Sequence, residues 1–129
     1  MALTWCFEDE TREPDVRLLD RLHGETIEVP SLWSLEIANV LVLAERRGRI
    51  SAGEIATFLD LLSALEVKVD AQTSERAFGE IFGLARSQAL TSYDAAYLEL
   101  AMRLGAMLAS KDRALCDAAE RLGVAIILA

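Results

Sequence analysis

Apolar positions along the chain change period several times, and each change marks an element. Thr26 to Val29 is a short strand-like run closed by Pro30, and Glu66 to Asp70 ("EVKVD") alternates as a strand does. Ala106 to Ala109 and Val124 to Leu128 ("VAIIL") are short apolar runs that read as buried strands. Between them the period becomes helical: Ser31 to Arg47, stopped by Gly48, then Ala52 to Ala64, Ser74 to Ser87, Leu90 to Gly105 and Arg113 to Leu122. Near the start, Leu3 to Glu8 reads as a short helix and Pro14 to His23 as a second, with Pro suited to a first turn. Strands that alternate with helices predict a parallel sheet covered by helices on both faces. In such folds ligands bind beyond the carboxyl ends of the strands.

Three carboxylates sit awkwardly in this pattern. From Leu35 to Ala44 the chain reads LEIANVLVLA, apolar all round except for Glu36 and Asn39, which share one helical face. A helix apolar on every side is predicted to be buried, and a carboxylate there needs an ion partner or a bound cation. Asp94 lies in the first turn of "LTSYDAAYLELAMRLG", where Thr91-x-x-Asp94 also fits a capping box. On that helix Tyr93, Tyr97, Leu100, Ala101 and Leu104 form the predicted core stripe, and Glu99 and Arg103 read as a solvated pair. Asp112 follows a strand and precedes a helix, so it can serve as an N-cap. Chain direction brings all three acids to one edge of the sheet. Converging carboxylates are what hard divalent cations require, and a cation so held can act on a phosphodiester.

Composition narrows the possibilities. The 129 residues, 53% hydrophobic and 26% charged, fit one folded domain over residues 1–129, with no linker or repeat dividing it. No run is long enough to span a membrane, and no basic region followed by an apolar stretch marks a secretory signal. Cys6 and Cys116 lack metal-cage spacing and fit two buried thiols in a reducing cytoplasm. The net charge of −8 argues against a broad phosphate-binding surface. Arg46, Arg47 and Arg49 nevertheless cluster, and Lys111 and Arg113 flank Asp112.

Other chemistries find no support. There is no GxxxxGK[ST] loop, no GxGxxG and no Ser-His-Asp set. His23, before Gly24, fits a helix end better than a catalytic role. Trp5, Trp33 and the tyrosines read as core or interface, and Glu8-Asp9-Glu10 as a solvated turn.

The segments "VPSLWSLEIANVL", "LTSYDAAYLELAMRLG" and "LASKDRALCDAAERLGV", in that order and spacing, resemble the signature segments of PIN-domain proteins, specifically VapC-type toxins. The resemblance implies an α/β/α three-layer fold with a parallel sheet and cleavage of RNA dependent on Mg²⁺ or Mn²⁺. It also implies a homodimer neutralised by a small VapB-type antitoxin. By position, Glu36, Asp94 and Asp112 match the family's metal-binding and catalytic acids. Thr91 and Ser110 match small hydroxyl positions beside them, with Asn39 as a further supporting group. Lys111 and Arg113 are the candidate RNA contacts.

The resemblance departs at the start. PIN domains open with a strand ending in an aspartate, directly before a helix similar to "ALTWCFEDE". This reading therefore leaves the first strand truncated, the central place in the sheet vacant and one ligand aspartate missing. A non-catalytic PIN module that dimerises and binds an antitoxin is the rival that this departure favours. A receiver-like phospho-acceptor domain lacks the expected lysine at the end of a late strand.

Overall fold

The structure, a computed structural model, describes residues 2–5 and 21–127. Five strands, β1 (Ala2–Trp5), β2 (Thr26–Val29), β3 (Glu66–Val69), β4 (Met107–Ala109) and β5 (Ile126–Ile127), form one sheet in the order β3-β2-β1-β4-β5. Every pairing is parallel: Leu3 lies opposite Ile27 on one side and Met107 on the other. The helices are α1 (Trp33–Arg46), α2 (Ala52–Ser63), α3 (Thr73–Arg76), α4 (Phe82–Gln88), α5 (Ser92–Leu104) and α6 (Arg113–Arg121). A π-helical turn over Ala77–Ile81 joins α3 to α4, where the sequence pattern predicts plain helix. The predicted parallel α/β architecture is the one observed.

The start of the chain differs from its sequence reading. Ala2–Trp5 is the central strand, not the beginning of a helix, so the middle of the sheet is filled. Thr4 and Trp5 are both fully buried, on opposite faces of the strand. A strand covered on both faces loses the alternation that identifies strands, and a short apolar run then reads equally well as helix. The strand carries no carboxylate: it reads Ala-Leu-Thr-Trp. Cys6, Glu8, Asp9, Glu10 and most of the second expected helix lie outside the described residues.

The core gathers around this strand. Trp5 packs edge-to-face on Trp33, ring centroids 5.8 Å apart, with Ile27, Val29, Ile37, Leu41, Tyr97, Leu98, Leu108 and Leu115 around them. Helix α5 packs across β1, β2 and β4. Its C-terminus turns at Gly105, whose φ of 62° suits glycine, and leads directly into β4. The N-terminus of α5 therefore lies at the carboxyl edge of the sheet.

Helix α1 is not buried on all sides. Leu35 is 76% exposed and Val42 is also exposed, while Trp33, Ile37, Val40, Leu41 and Ala44 face inward. On α5, Tyr97, Leu100 and Ala101 are buried as predicted, whereas Tyr93 and Leu104 face solvent. The expected stripe was one turn too long at each end. Among the described residues no helix is long and apolar enough to cross a membrane.

Candidate metal-binding edge

The N-termini of three helices lie at the carboxyl edge of the sheet. Helix α1 starts four residues after β2 and carries Glu36 in its first turn. Helix α5 arrives at this edge by its N-terminus and carries Asp94. Helix α6 starts just after β4, with Asp112 as its N-cap. Strand order reverses between β1 and β4, so Asp112 leaves β4 at the topological switch point, where open α/β sheets bind ligands.

The Asp112 cap is real: Oδ2 accepts a hydrogen bond from the Leu115 amide at 2.9 Å, and the Asp112 amide donates to Ser110 Oγ at 3.0 Å. Capping does not exhaust a carboxylate, because one oxygen can serve the helix while the other faces a ligand. Ser110 is fully buried, and its carbonyl accepts from Cys116 Sγ at 3.4 Å. Cys116 is a half-buried free thiol, pushed up from its usual range chiefly by burial and next by Asp112.

The capping box at Asp94 is only half formed. Thr91 Oγ1 accepts from the Asp94 amide at 3.1 Å, but the Asp94 carboxylate does not return the bond, unlike Glu54 at the complete box of Ser51. Burial and the neighbouring negative charge of Asp112 push the Asp94 carboxyl up to about 6. Among the described residues no lysine or arginine pairs with it. Glu36 has no arginine partner among the described residues either. Its Oε1 accepts a hydrogen bond from the hydroxyl of Tyr97, one turn along α5 from Asp94. Burial raises the Glu36 carboxyl and the tyrosine bond works against that rise.

Tyr97 is a partner the pattern of apolar positions concealed. It counts as one more core aromatic, yet a buried phenol needs a hydrogen-bond partner, and that requirement was the available signal. Of the supporting residues, Thr91 is an exposed cap, Asn39 is exposed on α1, and Lys111 and Arg113 are exposed beside Asp112.

Oxygen donors of this kind suit Mg²⁺ or Mn²⁺ in type and charge. Asp94, half-buried beside Asp112 and without a counter-charge among the described residues, has a negative potential that a cation would relieve. Among the described residues, however, no three acids, histidines or cysteines stand close enough together to form a ready-made cage. The donor chemistry fits, and the shell is incomplete within those residues.

A second polar cluster holds α5 from its other side. Arg103 donates to both oxygens of Asp70, at 3.0 and 2.7 Å, and to both oxygens of Glu99. Arg76 adds a bond to Glu99 at 3.1 Å, and Thr73 bridges Asp70 to the Ser31 amide. Glu99 is only 6% exposed, so Glu99 and Arg103 are a buried ion network and not the solvated pair expected from their spacing.

A parallel α/β sheet with acids at its switch point defines a class of small ligand-binding domains that includes nucleases. Within that class the chain belongs to the PIN-domain family, whose family model matches residues 1–121. It is 31% identical over 86 residues to Ribonuclease VapC3 of Pyrobaculum aerophilum, a match spanning 67% of this chain and 66% of that relative. Its fold is similar to the crystal structure of PAE2754 from Pyrobaculum aerophilum, with a TM-score of 0.72 and 21% identity over 97% of this chain and 88% of that one.

Proposed function

We propose that this chain is a VapC-type toxin endoribonuclease that hydrolyses RNA phosphodiester bonds with Mg²⁺ or Mn²⁺. The observation that carries this reading is the Asp94–Asp112 pair: two like charges held together at the switch-point edge, one of them half-buried, with no basic partner among the described residues. Membership of the PIN family and the likeness to a protein named as a ribonuclease support it. In this reading the cation would sit against the Asp94–Asp112 pair with Glu36 as a further ligand, and when bound it would offset the negative charge of the phosphodiester and acidify water. Ser110 orients the Asp112 segment through its hydroxyl, and Thr91 fixes the turn that presents Asp94. Asn39 lies on the face of α1 that carries Glu36, and Lys111 and Arg113 stand where an RNA phosphate would meet the edge. The protein acts in the cytoplasm as a homodimer and is neutralised by a VapB-like antitoxin. The exposed apolar residues Leu35, Val42 and Leu59 on α1 and α2 suit such associations.

A second reading has its own observation. β1 ends without a carboxylate, and no three-acid cluster stands among the described residues, as a binding module without catalysis would have it. One experiment separates the two. The purified chain is incubated with a fluorogenic RNA and Mn²⁺, with and without EDTA, beside Asp94→Asn and Asp112→Asn. Metal-dependent cleavage lost in both variants supports the enzyme. Absence of cleavage from a folded, antitoxin-binding chain supports the module.

A further inference from the structure

We infer that Tyr97 is a positioning residue: its hydroxyl, bonded to Glu36 Oε1, fixes the Glu36 carboxylate as a cation ligand and registers it against Asp94 on the same helix. The inference rests on the cation site proposed above and adds a residue to it.

The physical case begins with stiffness. A glutamate has three rotors and loses substantial freedom when held in one geometry, which weakens any ligand bond it makes. Tyr97 has two rotors, and its ring is fully buried in the core among residues of the central sheet and α1. Its hydroxyl is therefore a fixed point at the end of a rigid lever. Glu36 bonded to that point is pre-positioned, with Oε2 left for a ligand. The spacing matters as well. Tyr97 follows Asp94 by three residues, so both project from neighbouring turns of one face of α5. The helix that carries Asp94 thus also fixes the acid supplied by α1. The arginine network on the other side of α5, through Asp70 and Arg76, ties this helix to the end of β3 and the end of α3. Partners that orient metal ligands typically change metal affinity by about 10- to 100-fold.

The test is Mn²⁺ binding followed by the electron paramagnetic resonance of the free ion, with melting curves alongside. The proteins are wild type, Tyr97→Phe, Glu36→Gln and the double variant. Tyr97→Phe keeps the ring and is expected to melt within about 8 °C of wild type. Its Mn²⁺ affinity is expected to fall about tenfold or more. In the Glu36→Gln background the same substitution is expected to change affinity by less than about twofold, because its effect passes through the carboxylate already removed. Glu36→Asp tests the bond from the other side if Tyr97→Phe melts poorly: it keeps the charge and draws the carboxylate back from the phenol, and affinity should fall comparably. Wild-type affinity in Tyr97→Phe, or losses that add in the double variant, would overturn the positioning role and leave the cation site standing. A wild-type chain that takes up no Mn²⁺ would overturn the site and this inference together.

Discussion

Helix α5 carries acids on two sides, and the two sides have opposite electrostatics. On one side Asp70 and Glu99 are saturated by Arg103 and Arg76, and the bonds from Arg103 hold the Asp70 carboxyl below its ordinary range. On the other side, among the described residues, Asp94 meets burial and the charge of Asp112, and its carboxyl is pushed up to about 6. The residue types are the same. What differs is whether the fold supplies a cation from its own side chains. The arginine cluster is a finished structural joint, while the Asp94 edge keeps a carboxyl that no basic side chain among the described residues balances, as sites for a charged ligand commonly do.

The largest effect should come from breaking the finished side. Arg103→Met removes the guanidinium shared by Asp70 and Glu99, and stranding a buried carboxylate costs about 3–5 kcal/mol. Urea unfolding should show that loss, and a change below about 1 kcal/mol would place the cluster among weak surface pairs. The open side should respond in the opposite sense. Asp94→Asn should abolish metal-dependent cleavage by at least about 100-fold, exceeding the effect of removing a partner that merely orients a ligand. It should leave stability at pH 7 unchanged or improve it by up to about 1 kcal/mol, since the group is partly solvated and its repulsion is screened.

The same contrast should appear in the pH dependence of the metal-free protein. A carboxyl raised in the fold favours the protonated native state, so the contribution of Asp94 is fully present below its unfolded value near 4 and is lost as pH rises through about 6. Asp70, lowered in the fold, contributes above its unfolded value and loses that contribution only in stronger acid. Stability should therefore rise between pH 7 and about pH 4.5 and fall below it. Asp94→Asn should flatten the first limb and spare the second. A monotonic fall from pH 7 downward would contradict the assignment of Asp94. The smallest effect concerns the cap: Asp112→Ala should cost about 1 kcal/mol and Asp112→Asn much less, because asparagine caps nearly as well. Loss of Mn²⁺ binding in both would separate the ligand role of Asp112 from its helix-capping role.

The sequence by itself determined the order and kind of the elements after residue 25, apart from the π-helical turn at Ala77–Ile81 and with ends shifted by a residue or two, and the edge at which Glu36, Asp94 and Asp112 emerge. Those features are local: periodicity reports which side of an element is apolar, and chain direction reports which edge follows a strand. Only the tertiary structure decided that Ala2–Trp5 is the central strand, because a run buried on both faces has no alternation to read. It also decided the fate of the charges. Glu99 and Arg103, four apart on a helix, have the spacing of a solvated pair, and Asp70 and Arg76 arriving from β3 and α3 turn them into a buried joint. Glu36, for which sequence suggested an arginine or a cation, found the phenol of Tyr97 sixty-one residues away. Periodicity names the face an element buries, but a partner across that face comes from another part of the chain, and only packing brings the two within bonding distance.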